Sequence, residues 1–282
     1  MVEAIAEVAA LRHKVAEPRK GGARVGFVPT MGALHRGHAE LLRVARSQAD
    51  VLVASIFVNP LQFDRKDDLD RYPRTWEADL AICEEQGVDL VFAPTVQDLY
   101  PQEQLTFVDA PVLTQYLCGA FRPGHFRGVA TVVLKLFNAV QPDFACFGEK
   151  DAQQLAVIRR MVADLNLPVE IVPVPTVREE DGLALSSRNK LLSAEDRLVA
   201  PRFAEALRAV IATVQAGEQD VARAKQAAYQ LLAATPQMQV EYLELVDADT
   251  MTPVETIGDE GLLAAAVWLG GVRLIDNMRW NR

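Results

Sequence analysis

A complete disulfide framework and a membrane-spanning helix are both excluded by what the sequence lacks. Its 282 residues include only three cysteines, Cys83, Cys118 and Cys146, and an odd number without C-x-x-C spacing cannot complete a disulfide framework. We expect all three to be small buried hydrophobic side chains. The longest apolar run, residues 262–269, is far shorter than the roughly 20 residues of a membrane-spanning helix.

The sequence also lacks an excess of basic residues. Lysine and arginine number 29 against 38 acidic residues, which gives a formal net charge of −9. A protein that grips a nucleic-acid backbone usually carries net positive charge, so we expect no nucleic-acid partner. Glu3 and Glu7 stand where a signal peptide needs positive charge, which favours a cytoplasmic location.

Helix-like and strand-like segments alternate over the first 176 residues. The strand-like runs are apolar at successive positions, as in V-L-V-A-S-I-F-V, which is typical of strands buried on both faces of a parallel sheet. The fold class predicted is therefore α/β, with a doubly wound, Rossmann-like parallel sheet. The predicted strands are residues 24–29, 51–58, 89–93, 144–147 and 169–174, and the predicted helices are residues 2–16, 39–50, 75–86, 129–140 and 152–166.

The pattern changes after residue 176. A polar stretch is followed by a capped helix start at residues 193–196 and by two alanine-rich helical segments that extend to about residue 235. Strand-like runs at residues 240–246, 262–268 and 272–275 close the chain. We predict two domains, a Rossmann-like domain over residues 1–176 and a smaller C-terminal α+β domain over residues 177–282.

The loop after the strand at residues 24–29 has the clearest chemical signal, the string P-T-M-G-A-L-H-R-G-H. Gly32 and Gly37 have the spacing of a phosphate-binding P-loop, but the Lys-Ser/Thr pair of that motif is missing. Instead His35 and His38 lie at the start of a predicted helix, where backbone N–H groups and the helix dipole favour an anion. Imidazole N–H groups donate to phosphate oxygens, so the loop suits the phosphate chain of a nucleotide.

The H-x-G-H element in this string resembles the nucleotidyltransferase superfamily that includes class I aminoacyl-tRNA synthetases. The longer string resembles one family within it, the pantothenate synthetases or pantoate-β-alanine ligases. Four further segments match the same family, at residues 55–63, 121–128, 147–154 and 177–189.

The chemistry of these segments suits a nucleotide and a small hydroxy acid. The amides of Asn59 and Gln62 can bind hydroxyl and carboxylate groups without adding charge, although Asn59 alone is also typical of a turn. Lys150 lies at a predicted helix N-terminus, where a cation is unfavourable unless it has an anionic partner. Asp151 either binds ribose or caps that helix. The planar guanidinium of Arg188 suits bidentate contact with phosphate.

The resemblance implies a role for individual residues. The catalytic residues that it implies are His35, His38, Lys150 and Arg188. The ATP contacts that it implies come from Met31, Gly32, Ala33, Leu34, His35, Arg36, Gly37, His38, Gly148, Glu149, Lys150, Asp151, Val177, Leu185, Ser186, Ser187 and Arg188. The contacts to pantoate or β-alanine that it implies come from Thr30, Asn59, Gln62, Arg122 and Gln154. The family gives His38 the role of proton donor, while its position at a helix start suits phosphate stabilisation equally well.

The activity implied is the ATP-dependent ligation of pantoate and β-alanine to pantothenate, through pantoyl adenylate, with release of pyrophosphate and AMP. Mg²⁺ would be bound mainly through ATP, because the sequence offers no H-E-x-x-H motif and no carboxylate cluster. A homodimer is also implied, and the lack of a long apolar run leads us to expect no membrane partner.

Three other functions use the same features. A nucleotidyltransferase acting on a cofactor precursor would release a stable adenylylated product, and a nucleotide-binding sensor would form no AMP. A tRNA-charging enzyme is disfavoured by the acidic charge and by the lack of an evident anticodon-binding extension.

Overall fold

The protein, described over residues 2–282 by a computed structural model, contains one parallel and one antiparallel sheet. The strands are β1 Glu3–Ile5, β2 Val25–Thr30, β3 Val51–Ile56, β4 Leu90–Phe92, β5 Phe144–Gly148, β6 Glu170–Val174, β7 Met238–Val246, β8 Glu260–Leu269 and β9 Val272–Asn281. The helices are α1 Val8–Lys20, α2 Arg36–Arg46, α3 Lys66–Arg71, α4 Trp76–Glu85, α5 Val96–Leu99, α6 Leu117–Phe121, α7 His125–Val140, α8 Ala152–Asp164, α9 Ala194–Val199, α10 Pro201–Gln215 and α11 Val221–Ala233.

The chain forms two compact units. The first contains residues 2–110, 122–149 and 157–175. The second contains Pro111–Phe121, Lys150–Ala156 and Thr176–Arg282, so it includes two short segments from before residue 177.

The first unit is built on six parallel strands in the order β1-β4-β3-β2-β5-β6. Neighbouring residues of β2 point to opposite faces of the sheet, as the period of a strand requires. The ring of Phe27 contacts Phe137 of α7 with centroids 6.4 Å apart, whereas Val28 packs in one cluster with Leu42 of α2. Helices therefore cover both faces, and the predicted doubly wound α/β class is confirmed.

The predicted helix over residues 2–16 is wrong at its beginning. Residues 3–5 form β1, which pairs in parallel with β4 in the register Ile5 to Phe92, and the helix begins only at Val8. Ile5 has the spacing of the helical residues after it, but burial at the sheet edge outweighs this local preference. Two other helices begin earlier than predicted, α2 at Arg36 and α7 at His125.

The second unit contains the antiparallel sheet β7-β8-β9, with α10 and α11 packed on one face. Gly270 and Gly271 join β8 to β9 and have φ values of +56° and +78°, the conformation that a two-residue hairpin requires. Phe203 and Leu207 of α10 are fully buried against this sheet. The smaller α+β domain predicted from the sequence is therefore present.

The three cysteines are buried, as predicted. Burial raises the pKa of Cys83 to about 11 and that of Cys146 to about 12, so both are uncharged packing groups near neutral pH. Within residues 2–282, no helix has the length and apolar character needed to cross a lipid bilayer.

Candidate active site

The strand order places the histidine loop at the position where α/β sheets bind ligands. Strands β2 and β5 are neighbours in the sheet, but the chain continues from β2 to β3 on one side and from β5 to β6 on the other. In α/β sheets a ligand-binding crevice forms beyond the carboxyl ends of two strands at which the strand order reverses in this way. Thr30 ends β2, and its buried hydroxyl donates to the carbonyl oxygen of Ser55 at 2.6 Å. The same hydroxyl accepts the N–H of Gly32 at 3.2 Å, so Thr30 supports the turn that follows.

The side chains of His35 and His38 both accept backbone N–H groups at the start of helix α2. The N–H of His35 donates to Nδ1 of His38 at 3.3 Å, and Nδ1 of His35 accepts the N–H of Gly37 at 3.1 Å. The two ring centroids lie 4.2 Å apart. A ring nitrogen that accepts a backbone N–H carries no proton, so each neutral ring holds its proton on Nε2. Nε2–H is thus the hydrogen-bond donor of each ring, and both rings lie at one helix end.

Asp79 contacts this loop, and the sequence did not predict it. Its carboxylate, at the start of α4, accepts the N–H groups of Ala33 and Leu34 at 3.0 and 2.8 Å. The sequence holds no signal for this contact, because 45 residues separate Asp79 from Leu34 and an acid in a first helical turn is ordinary.

Asn59 and Gln62 lie side by side after β3. The Nδ2 group of Asn59 donates to Oε1 of Gln62 and to the carbonyl oxygen of Gly128, both at 3.1 Å. Its Oδ1 accepts the hydroxyl of Tyr100 at 2.9 Å and the N–H of Leu61 at 3.3 Å. Asn59 is 1% exposed and uses its whole hydrogen-bonding capacity within the protein, so it supports Gln62 in this structure.

The Nε2 group of Gln62 has a weaker hydrogen-bond partner than its Oε1. Its Nε2 donates to the sulfur of Met31 at 3.0 Å, and a thioether is a poor acceptor that a ligand oxygen can replace. Tyr100, which holds Asn59, is a further residue that the sequence did not indicate. Burial raises the pKa of Tyr100, so its hydroxyl stays a donor.

Arg122 is engaged within the first unit. Its guanidinium donates to Oδ1 of Asp64 at 3.0 Å and to the carbonyl oxygen of Gln62 at 3.3 Å. Burial acts to raise the pKa of Asp64, but the bonds from Arg122 outweigh this and the pKa is lowered. Any carboxylate ligand of Arg122 would therefore have to compete with Asp64.

A cavity of about 390 Å³ opens at the carboxyl ends of β2, β3 and β4. This volume is in the range of small-molecule sites, roughly 300–1,000 Å³. Of the predicted site residues, Met31 and Gly32 are in its lining, and Gln62 is not. Its other lining residues are Ile56, Phe57, Val58, Pro73, Arg74, Thr75, Trp76, Asp79, Ala93, Pro94, Thr95 and Val96.

The remaining predicted residues of the first unit differ in exposure. Gly37, Gly148 and Glu149 are half-buried, while Arg36 is exposed. A Cβ added to Gly148 would meet no atom within 4 Å, so the chain itself does not require glycine there and a ligand can approach the backbone.

Lys150, Asp151 and Gln154 belong to the second unit and are half-buried. The ammonium of Lys150 lies 3.8 Å from Oδ1 of Asp151, and its carbonyl oxygen accepts Nδ2 of Asn277 at 2.8 Å. The neighbouring Gln153 is buried and bonds only backbone groups at residues 113–119. The segment is thus held by Asn277 and by residues 113–119, while the predicted residues are half-buried.

The segment from Val177 to Arg188 begins with a short antiparallel bridge in the same unit, between Arg178 and Ala184. The guanidinium of Arg178 makes a bidentate ion pair with Asp276 at 2.7 and 2.9 Å, and Asp276 is 2% exposed. Leu185 closes the bridge, since its N–H donates to the carbonyl oxygen of Val177 at 3.0 Å. Asp276 was not predicted, because it lies 98 residues beyond Arg178.

Ser186, Ser187 and Arg188 follow this bridge and are half-buried. The hydroxyl oxygen of Ser186 accepts the N–H of Arg188 at 3.2 Å and caps the turn Ser187–Leu191. Asn189 fixes the turn by donating to Oε1 of Glu179 at 2.7 Å. The turn therefore carries Ser186, Ser187 and Arg188 on an anchored backbone.

Among residues 2–282, no group of three or more His, Cys, Asp or Glu side chains is arranged to hold a metal ion. The predicted catalytic residues fall in both units, with His35 and His38 in the first and Lys150 and Arg188 in the second.

Known proteins match the chain over nearly its whole length. The family model described as pantoate-beta-alanine ligase matches residues 3–279. The pantothenate synthetase of Moorella thermoacetica is 52% identical over 277 residues, which cover 98% of each chain. The crystal structure of pantothenate synthetase from Thermus thermophilus is similar with a TM-score of 0.92 at 49% identity, covering 98% of this chain and 99% of that one.

A third match is a ligand complex. It is the pantoate-beta-alanine ligase of Francisella tularensis with beta-gamma ATP and β-alanine, with a TM-score of 0.83, 32% identity and coverage of 99% of this chain and 97% of that one. These matches confirm the resemblance drawn from the sequence. The chain belongs to the pantoate-β-alanine ligase family, whose enzymes use ATP to join pantoate to β-alanine.

Proposed function

We propose that the chain makes pantothenate in two steps, with pantoyl adenylate as the intermediate. A carboxylate oxygen of pantoate attacks the α-phosphorus of ATP, an oxygen–phosphorus bond forms, and pyrophosphate leaves. The amine of β-alanine then attacks the acyl carbon, a carbon–nitrogen bond forms, AMP leaves, and the amine loses a proton. The first step is needed because a free carboxylate is a poor acyl donor.

In this proposal His35 and His38 stabilise the phosphate charge with their Nε2–H groups. The observation that carries the proposal is the reciprocal cap, in which each Nδ1 accepts a backbone N–H and the proton is left on Nε2. Donors fixed before the reaction stabilise developing charge without reorganising. The same observation favours phosphate stabilisation by His38 over proton donation.

We propose that Gln62 binds pantoate and also lies beside β-alanine, with Asn59 holding it in place. This is supported by the burial of both side chains and by the replaceable contact of Gln62 with Met31. Gln154 and Thr30 are proposed to complete the pantoate contacts. Arg122 is proposed to attract the substrate carboxylate, in exchange with Asp64.

On the second unit, we propose that Lys150, Ser186, Ser187 and Arg188 bind triphosphate oxygens and that Asp151 binds ribose. The anchoring of their backbone by Asn277 and by Arg178 supports this role, because it limits the entropy lost on binding. The other proposed ATP contacts come from Met31, Gly32, Ala33, Leu34, Arg36, Gly37, Gly148, Glu149, Val177 and Leu185.

We propose that Mg²⁺ enters with ATP, bound by phosphate oxygens and water. The side chains described over residues 2–282 include no carboxylate cluster that would hold it separately. We also propose a homodimer, which light scattering on the purified protein would test.

The proposal is tested by supplying ATP, Mg²⁺ and pantoate with and without β-alanine. Pantoate alone should support exchange of labelled pyrophosphate into ATP, and β-alanine should add steady release of AMP and pantothenate. A stable adenylylated product that accumulates regardless of β-alanine would identify a different nucleotidyltransferase. ATP binding without AMP under any condition would indicate a sensor.

A further inference from the structure

Asp79 is a buried carboxylate whose partners are all neutral donors. It is 2% exposed, and its Oδ2 accepts the N–H of Ala33 at 3.0 Å. Its Oδ1 accepts the N–H of Leu34 at 2.8 Å and the hydroxyl of Thr75 at 3.0 Å. Hydrogen bonds to an ionised acceptor are stronger than those between neutral groups, so these contacts hold the loop firmly.

The loop needs such a partner because of its backbone conformation. Gly32 and Ala33 have φ values of +80° and +52°, and a non-glycine residue stays in this region only where its surroundings hold it. The N–H groups of Ala33 and Leu34 converge on one carboxylate, as successive backbone N–H groups do in the concave anion sites of turns. Here the anion is the side chain of Asp79, and the site is filled from within the protein.

Space around the turn is also limited by the same carboxylate. A Cβ added to Gly32 would lie 2.9 Å from Oδ2 of Asp79 and 3.1 Å from Cγ2 of Ile56. The turn, the carboxylate and β3 therefore fit together in one arrangement. Helix α4 is itself fixed, because Cys83 on the same helix is fully buried in the core of the first unit.

The position of this turn decides where the histidine pair points. His35 follows Leu34 directly, serves as the first residue of the reciprocal cap, and donates its N–H to Nδ1 of His38. We infer that Asp79 is a positioning residue for the reaction, which orients His35 and His38 by fixing the turn before them. This inference rests on the proposed function, since it assumes that the pair acts on ATP.

The test is the variant Asp79→Asn. Asparagine has the same shape, but its single oxygen replaces two and its NH₂ group faces a loop N–H. We expect kcat for pantoate-dependent pyrophosphate exchange to fall about 10- to 100-fold, since an error of about 1 Å in position can cost 10²-fold. The KM for pantoate should change less than about threefold, because the hydrogen-bond partners of Asp79 are Ala33, Leu34 and Thr75. None of these is among the residues proposed to bind pantoate.

Asp143→Asn is a matched control within the same unit. The carboxylate of Asp143 accepts the N–H of Val25 at 2.6 Å, at the opposite end of β2. This variant also loses a carboxylate that holds a backbone N–H, so it reports the general effect on stability. We expect it to keep the kcat of the wild type.

Hydrogen exchange gives a second readout, which does not depend on activity. Peptides covering residues 31–38 should exchange faster in Asp79→Asn than in the wild type, while residues 25–30 remain protected. An Asp79→Asn protein with unchanged exchange and with kcat within twofold of the wild type would overturn the inference. If the variant does not fold, hydrogen exchange in the wild-type protein tests the inference instead. Slow exchange at the N–H groups of Ala33 and Leu34 supports their hydrogen bonds to Asp79, and rapid exchange there overturns the inference.

Failure of the proposed function has a different signature. A wild-type protein that shows no pantoate-dependent exchange of pyrophosphate would refute the proposed reaction, and with it the role of the histidine pair in that reaction. The hydrogen-exchange comparison would still show whether Asp79 holds the turn.

Discussion

Substitution of His38 can separate the functions of its two ring nitrogens. Nδ1 accepts the N–H of His35 at 3.3 Å and so helps to cap α2, whereas Nε2–H is the proposed donor to phosphate. His38→Asn places an oxygen near the position of Nδ1 and has no group at the position of Nε2. His38→Ala removes both functions.

The two losses have different sizes. One preorganised donor to developing charge is worth about 10² to 10³ in rate, or about 2.7–4 kcal/mol. A helix cap is worth roughly 0.5–2 kcal/mol, and a bond of 3.3 Å is longer than most hydrogen bonds, so we expect about 0.5–1 kcal/mol here. That corresponds to a decrease in Tm of about 1–4 °C for a domain of this size.

Both variants should therefore lose about 10²-fold or more in pantoate-dependent exchange of pyrophosphate into ATP, and only His38→Ala should also lose thermal stability. Exchange is measured with labelled pyrophosphate, and stability by the thermal transition in circular dichroism. Wild-type exchange in His38→Asn would refute the role given to Nε2. Equal destabilisation of the two variants would refute the reciprocal cap.

Three further predictions concern other parts of the structure. Gly32→Ala should lower the free energy of unfolding by roughly 1–3 kcal/mol, measured in urea, because it adds strain at φ +80° and a Cβ 2.9 Å from a buried carboxylate oxygen. Asp276→Asn should cost about 3–5 kcal/mol by the same measurement, because it leaves Arg178 without its buried partner. The pKa of Asp64 is lower in the folded protein than its ordinary value of 3.8. The ion pair of Asp64 with Arg122 therefore stabilises the protein fully at pH values above 3.8, and this contribution is lost as the pH falls through the lower pKa of the folded state. The stability difference between wild type and Asp64→Asn should therefore shrink between about pH 5 and pH 3.

Each of these predictions has a control or a contrary result. Gly124→Ala introduces an alanine at the same φ of +80°, and no atom lies within 4 Å of the new Cβ, so this variant measures backbone strain alone. An equal loss of stability in Gly32→Ala and Gly124→Ala would contradict the close contact between the new Cβ at Gly32 and Asp79. Loss of less than about 1 kcal/mol in Asp276→Asn would show that the ion pair is screened by water. A constant difference from pH 7 to pH 3 would contradict the lowered pKa of Asp64.

The sequence predicted the fold class and the histidine loop because both are local patterns. Strand β2, the turn and the two histidines lie within 14 residues, from Val25 to His38, so periodicity and spacing find the strand and the loop, although α2 begins at Arg36 and not at residue 39. The residue roles inferred from the family resemblance remain predictions, and the experiments above test them.

The supporting residues could not be predicted in this way. Asp79, Tyr100 and Asp276 act on groups 41 to 98 residues away in the chain, and nothing in their local sequence distinguishes them from surface or cap residues. The strand at residues 3–5 was missed for the same reason, since its partner β4 is distant in sequence.

The pairing of β1 with β4 also has a consequence for synthesis on the ribosome. Residues 3–5 are made before their partners at residues 90–92, which follow after about 4 to 17 s at roughly 5–20 residues per second. During that interval β2 and β3 can already pair, because only about 20 residues separate them. Strand β1 would then be added last at this edge of the sheet, and a slowly translated codon between residues 60 and 90 would prolong its exposure to chaperones and proteases.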